Sequence, residues 1–108
     1  MKNSRVQVFD KDFNFIRQWG SFENGSGQFS GTIPGIDCYE KEDLVFVADK
    51  RSTNFQVFDE NGKFKSKFGS KGKQDGHFNR PEYLAIDPEG KVFVDDTGNS
   101  RIQIFGIK

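Results

Sequence analysis

Five lysines fall between residues 63 and 73, in K-F-K-S-K-F-G-S-K-G-K, and Arg80 follows shortly after. Closely spaced bases can hold an anionic ligand or a phosphate backbone. Strand alternation places Lys63, Lys65 and Lys67 on one face and Phe64, Ser66 and Phe68 on the other. Lysines along one strand suit a solvent-facing outer edge, where charge discourages pairing with stray chains. Lys71, Lys73 and Arg80 are left as the candidate ligand-binding loop. The matching stretch earlier in the chain, S-F-E-N-G-S-G-Q-F, contains no base, which favours a plainly solvated loop. Phe22 in that stretch suits stacking on a base or filling a gap between elements.

Other reactive residue types are sparse. His77 is the single histidine, and one chain therefore lacks the ligand set of a typical metal site. Its counterpart is Gln28, so His77 reads as a solvated loop residue. Asp49 and Asp96 each end a V-F-V run, where a carboxylate is expected to cap the following turn through backbone N–H groups. Arg101, close to Asp96 in sequence, is expected to pair with it in a structural role. Cys38 aligns with Ala85 and reads as a small buried thiol. No basic neighbour marks it as an activated nucleophile, and it cannot form an intrachain disulfide. No catalytic residue, metal or cofactor is assigned on these grounds.

The chain has 108 residues, enough for one domain or part of one, with 16 basic and 16 acidic side chains. A balanced charge supplies no overall pull toward nucleic acid or an anionic membrane. Thirteen Phe in a chain only 33% hydrophobic point to a thin core built from large rings. No apolar run approaches the roughly 20 residues of a membrane helix, and the N-terminus has no apolar signal core. The compartment is open, and a soluble chain is expected.

The elements that position these residues emerge from self-similarity. At an offset of 49, Val6-Gln7-Val8-Phe9-Asp10 falls on Phe55-Gln56-Val57-Phe58-Asp59, Trp19-Gly20 on Phe68-Gly69, and Gly27-Gln28-Phe29 on Gly76-His77-Phe78. At an offset of 47, Pro34 matches Pro81, Val45-Phe46-Val47 with Asp49 matches Val92-Phe93-Val94 with Asp96, and Asn54 matches Arg101. Each unit of about 47 residues reads as four short strands. D-E-N-G, D-P-E-G and T-G-N-S supply turns. No sustained helical period occurs, so the class is all-β.

The combined pattern, G-x-F, Pro, V-F-V-x-D, N-x-R-I-Q-I-F, D-x-x-G-x-F and F-G, resembles the NHL repeat, the blade of a six-bladed β-propeller. The match is strongest over Gly76 to Phe105. It is weaker over Gly27 to Asp49, where Cys38 and E-K-E-D depart from the pattern. The family's Asp and Arg positions fall on Asp96 and Arg101, whereas the earlier copy has Asp49 and Asn54.

The resemblance implies blades of four antiparallel strands, labelled a to d outward from the axis. Residues 3–20 are then a partial blade (c-d), 34–69 a complete blade, and 81–105 a partial blade (a-b-c). Isolated blades leave aromatic faces uncovered. The chain is accordingly expected either to be an excerpt of a longer propeller or to close a six-bladed ring as a homotrimer. In the ring, an N-terminal c-d pair completes a neighbour's a-b pair by strand exchange, and Arg5–Phe9 and Arg101–Phe105 compete for one slot. The implied function is a noncatalytic scaffold binding a protein or ligand through loops at one face. Two alternatives accompany it: an RNA-binding module using Lys71, Lys73 and Arg80 near the channel mouth, and a fragment of a metal-dependent lyase or hydrolase. The last would draw on carboxylates such as Asp37, Glu40, Glu82 and Asp87, which do not recur as a motif. No membrane role is expected.

Overall fold

The computed structural model describes residues 5–20, 33, 35–49 and 53–107. Among the described residues, nine strands form three antiparallel sheets. The first pairs β1 (Val6–Phe9) with β2 (Phe15–Trp19). The second runs β3 (Ile36–Tyr39), β4 (Leu44–Asp49), β5 (Asn54–Asp59), β6 (Phe64–Phe68) in chain order. The third orders β7 (Pro81–Ile86), β8 (Lys91–Asp96) and β9 (Arg101–Gly106). Gly27, Gln28, Phe29, Phe22 and Pro34 lie outside the described residues. Among the described residues, no helix is long and apolar enough to cross a membrane.

Period-two alternation makes the four-stranded sheet apolar on both faces. Phe46, Ala48, Phe55 and Val57 join Leu84, Val92 and Val94 of the third sheet in one cluster. Val45, Val47 and Phe58 turn the other way, onto Val6 and Trp19 of the first sheet. The sheets therefore stack as successive leaves with a separate apolar layer in each gap. Trp19 lies against Phe58 at 5.6 Å, and at the next gap Phe68 lies against Phe105 at 5.5 Å. Innermost strands meet as well: Asp37 Oδ2 of β3 accepts the Ile86 N–H of β7 at 2.8 Å.

One turn recurs three times. In Asp10–Asn14, Asp59–Lys63 and Asp87–Lys91, the aspartate Oδ1 accepts the backbone N–H two and four residues on, at 2.8 to 3.0 Å. The fourth residue is left-handed in each: Phe13 (φ 66°), Gly62 (φ 88°) and Gly90 (φ 91°). Glycine meets that demand without strain, and Phe13 does not. These N–H bonds favour the carboxylate form, and the Asn14 N–H bond at Asp10 and the Lys63 N–H bond at Asp59 lead in holding both groups below their ordinary pKa. E-K-E-D instead forms a single 3-10 turn, Glu40–Glu42, closed by Asp43 at φ 54°.

Cys38 corrects the sequence reading: its side chain is exposed, not buried. Tyr39 beside it joins the layer shared with the third sheet, so alternation puts Cys38 on the opposite face, across from Val45, where the two-stranded first sheet leaves it uncovered. Partial desolvation by its neighbours, then the Asp37 and Glu40 carboxylates, push its thiol pKa up, against nucleophile character.

Candidate functional site

The polar signature N-S-R-I-Q-I-F becomes a clasp on the β6–β7 loop. β8 ends at Asp96, a 3-10 turn spans Thr97–Asn99, and Ser100 at φ 51° reverses the chain. β9 then returns with Arg101 directly opposite Asp96. Alternation puts Arg101 and Gln103 on one face of β9, the face that meets the loop.

Asp96 is fully buried, at 0% exposure. Its Oδ2 accepts from Arg101 Nε at 2.7 Å, Asn99 Nδ2 at 3.0 Å and Gln103 Nε2 at 3.2 Å. Its Oδ1 accepts the Asn79 N–H at 2.8 Å. The expectation that Asp96 caps the turn after it is thus corrected, since no side-chain bond caps that turn. The carboxylate reaches back across the fold to the loop, because β8 ends with its side chain facing the preceding sheet alongside Val92 and Val94. Burial pushes its carboxyl pKa up, but the Asn79 N–H, Arg101, Asn99 and Gln103 outweigh burial and hold it below the ordinary value.

The same donors grip the loop backbone. Arg101 Nη2 donates to Gln74 O at 2.9 Å and His77 O at 3.0 Å. Gln103 Nε2 donates to His77 O at 2.8 Å, and Gln103 Oε1 accepts the Gly76 N–H at 3.0 Å. Asn99 Nδ2 donates to Gly72 O at 2.9 Å. Gly98 passes so close to Asn79 that a Cβ would lie 2.5 Å from its carbonyl oxygen. Below the clasp, Phe78 is fully buried, with edge contacts to Phe55 at 5.1 Å and Phe105 at 5.9 Å. G-H-F therefore plugs the gap between leaves while its carbonyls are tied from above.

Lys71, Lys73 and Arg80 all lie exposed on this loop. A backbone bridge between Lys71 and Phe78 folds it back on itself, and Asp75 is its single acid. Arg80 is held at φ 52°, outside the comfortable range of a non-glycine residue. His77 turns its ring to Ser70, with Nδ1 and Oγ 2.9 Å apart. Asp49 is buried opposite Asn54, the register of Asp96 and Arg101. Asn54 Oδ1 is buried and meets no donor among the described residues.

Gln103, Asn99 and Asn79 were not singled out by sequence. A signal existed for Gln103: Gln7, Gln56 and Gln103 recur between apolar positions of every copy, and a repeated polar group in a buried strand needs a partner.

The other carboxylates do not converge. Asp37 and Asp87 are engaged with backbone N–H groups. Among the described residues, no three His, Cys, Asp or Glu side chains come together as a metal site. A cleft between β3 and β7, lined by Cys38, Tyr39, Ile86 and Asp87, lies by the β3–β4 and β7–β8 turns, away from the basic loop.

Residues 30–108 match the family described as 6-bladed beta-propeller (DUF5128). Protein brain tumor of Drosophila melanogaster is 31% identical over 90 residues, which is 82% of this chain and 8% of that protein. E3 ubiquitin-protein ligase TRIM32 of Homo sapiens is 48% identical over 42 residues, 39% of this chain and 6% of that one. E3 ubiquitin-protein ligase TRIM71 of Gallus gallus is 47% identical over 38 residues, 35% and 4% respectively. The chain thus spans less than a tenth of the length of these relatives. Stacked antiparallel leaves, the repeated strand pattern and these matches agree: the chain belongs to the six-bladed β-propeller family, with repeats of the NHL type.

Proposed function

We propose that this propeller segment is a noncatalytic scaffold that binds an acidic protein or ligand through its β6–β7 loop, with Lys71, Lys73 and Arg80 making the contact. One observation carries the reading. The buried Asp96 and the Arg101, Asn99 and Gln103 side chains are all engaged in holding loop backbone. What the loop then offers outward is positive charge on a fixed frame. A left-handed Arg80 adds support, because a strained residue is retained where its side chain has work to do.

The test is a fluorescence anisotropy titration with two labelled probes, an oligo-glutamate peptide and a single-stranded oligouridine. Wild type is compared with Lys71→Glu/Lys73→Glu/Arg80→Glu. The reading expects peptide binding that falls at least about tenfold in the variant. Tighter binding of the RNA, with affinity falling steeply as salt rises, transfers the loop to the RNA-binding alternative. Equal affinity in wild type and variant for both probes overturns the assignment of the three bases.

A further inference from the structure

Residues 63–73 carry five lysines and no acid. The equivalent stretch one repeat earlier, residues 14–24, reads N-F-I-R-Q-W-G-S-F-E-N, with one base and one acid. Lys63, Lys65 and Lys67 stand where that stretch has Asn14, Ile16 and Gln18. Lys71 and Lys73 stand where it has Phe22 and Asn24. Both groups of lysines therefore distinguish the same blade, one on its outermost strand and one on the loop that follows.

β6 is the end strand of the four-stranded sheet, paired with β5 alone. Such an edge needs protection against stray chains, and lysines supply it. β2 shows that the fold has another means. In β6, Ser66 lies opposite Val57 and Phe64 opposite Phe58, which leaves Lys65 as an extra residue. In β2, Arg17 lies opposite Val8 and Phe15 opposite Phe9, which leaves Ile16. A bulge there breaks the outward row of N–H and C=O groups with or without a lysine. It also corrects the expectation that Phe64 and Phe68 share one face. Phe64 packs on Phe58 in one gap, and Phe68 stacks on Phe55 in the next. With both rings turned inward, β6 presents Lys63, Lys65 and Lys67, all exposed. Among the described residues, none of the five lysines sits in an ion pair.

We propose that β6 and the β6–β7 loop form one track for an extended acidic peptide, held by Lys63, Lys65 and Lys67 along the rim and by Lys71 and Lys73 on the loop. The inference rests on the acidic-ligand reading of that loop and extends it. The sign and spacing of the charge select the occupant. A strand rises about 3.3 Å per residue, so the five residues of β6 spread their bases over about 13 Å. Carboxylates of an extended peptide recur at the same rise and meet them in turn. Flexible lysine stems take up the unevenness at the bulge. The broken edge disfavours main-chain pairing, so side-chain charge carries the contact. β6 offers no exposed ring on which a base could stack, which disfavours single-stranded nucleic acid.

Anisotropy titrations of the 108-residue chain with labelled tetraglutamate and decaglutamate test the track. The short probe is spanned by the loop, and the long one reaches along β6. Wild type should bind decaglutamate at least about tenfold more tightly than tetraglutamate. Lys63→Gln/Lys65→Gln/Lys67→Gln should cut that ratio to about twofold and leave tetraglutamate binding as it was. Lys11→Gln/Lys41→Gln/Lys91→Gln removes the same charge elsewhere and should keep the ratio. All six positions are exposed, so both variants should retain the wild-type circular dichroism spectrum. A ratio that is absent in wild type, survives the β6 variant, or is lost equally in the control overturns the track. Tetraglutamate binding then leaves the loop reading in place. Failure of wild type to bind tetraglutamate overturns the loop reading and the track with it. A labelled decauridine that binds more tightly than decaglutamate, and needs the β6 lysines, overturns the choice of a peptide.

Discussion

Arg101 Nε lies 2.7 Å from Asp96 Oδ2, and the same guanidinium reaches two carbonyls of the loop that carries Lys71 and Lys73. The pair is thus a hinge pin between the sheet and the loop. Arg101→Lys keeps the charge and loses the planar fork. It is expected to cost about 1–2 kcal/mol. Asp96→Ala leaves Arg101, Asn99, Gln103 and the Asn79 N–H without their common acceptor and should cost on the order of 3 kcal/mol. Denaturant midpoints at neutral pH check both, and equal stabilities would contradict the ranking.

The lowered pKa of Asp96 makes stability depend on pH. The folded carboxyl titrates below its unfolded value, so the unfolded chain binds more protons between the two. The contribution is fully present above the unfolded pKa and is lost as pH falls through the folded one. Urea midpoints followed from pH 7 into the acid range should fall, and Asp96→Asn should flatten part of that fall. Asp10 and Asp59 act in the same direction, so some slope remains in the variant.

Phe13 is 85% exposed and left-handed where two sister turns have glycine. Phe13→Gly should raise stability by about 0.5–1 kcal/mol, since it relieves the backbone and loses little packing. Phe13→Ala is the control, because alanine retains the strain. A thermal midpoint that rises in the glycine variant and not in the alanine variant supports the account.

Asn54 occupies the arginine position of the earlier repeat, opposite buried Asp49. Asn54→Arg places a guanidinium opposite that carboxylate and removes an amide oxygen that is buried without a donor among the described residues. A gain of about 1 kcal/mol is expected in denaturant unfolding. Destabilisation would show that the two repeats differ in more than this side chain.

Much of the architecture is legible from spacing alone. Period two assigns Val45 and Val47 to one face and Phe46 and Ala48 to the other, and the two apolar layers follow. Offsets of 49 and 47 align Asp96 with Asp49 and Arg101 with Asn54 before any contact is known. The path of the β6–β7 loop is not periodic, so Asn79, 17 residues from Asp96, could not be placed against it. Cys38 misleads because a small residue suits an uncovered sheet face as well as a core. Phe13 hides its turn because D-K-D-F lacks the glycine that marks D-E-N-G.

The central claim is that the repeat signature acts by holding the basic loop in a binding geometry. Gln103→Ala tests it most directly, since it removes the ties to Gly76 and His77 while leaving Lys71, Lys73, Arg80 and the Asp96–Arg101 pair in the chain. Affinity for the oligo-glutamate probe, measured by anisotropy, should fall several-fold, about 1 kcal/mol, with every base still present. An unchanged affinity in a folded Gln103→Ala chain would contradict the account.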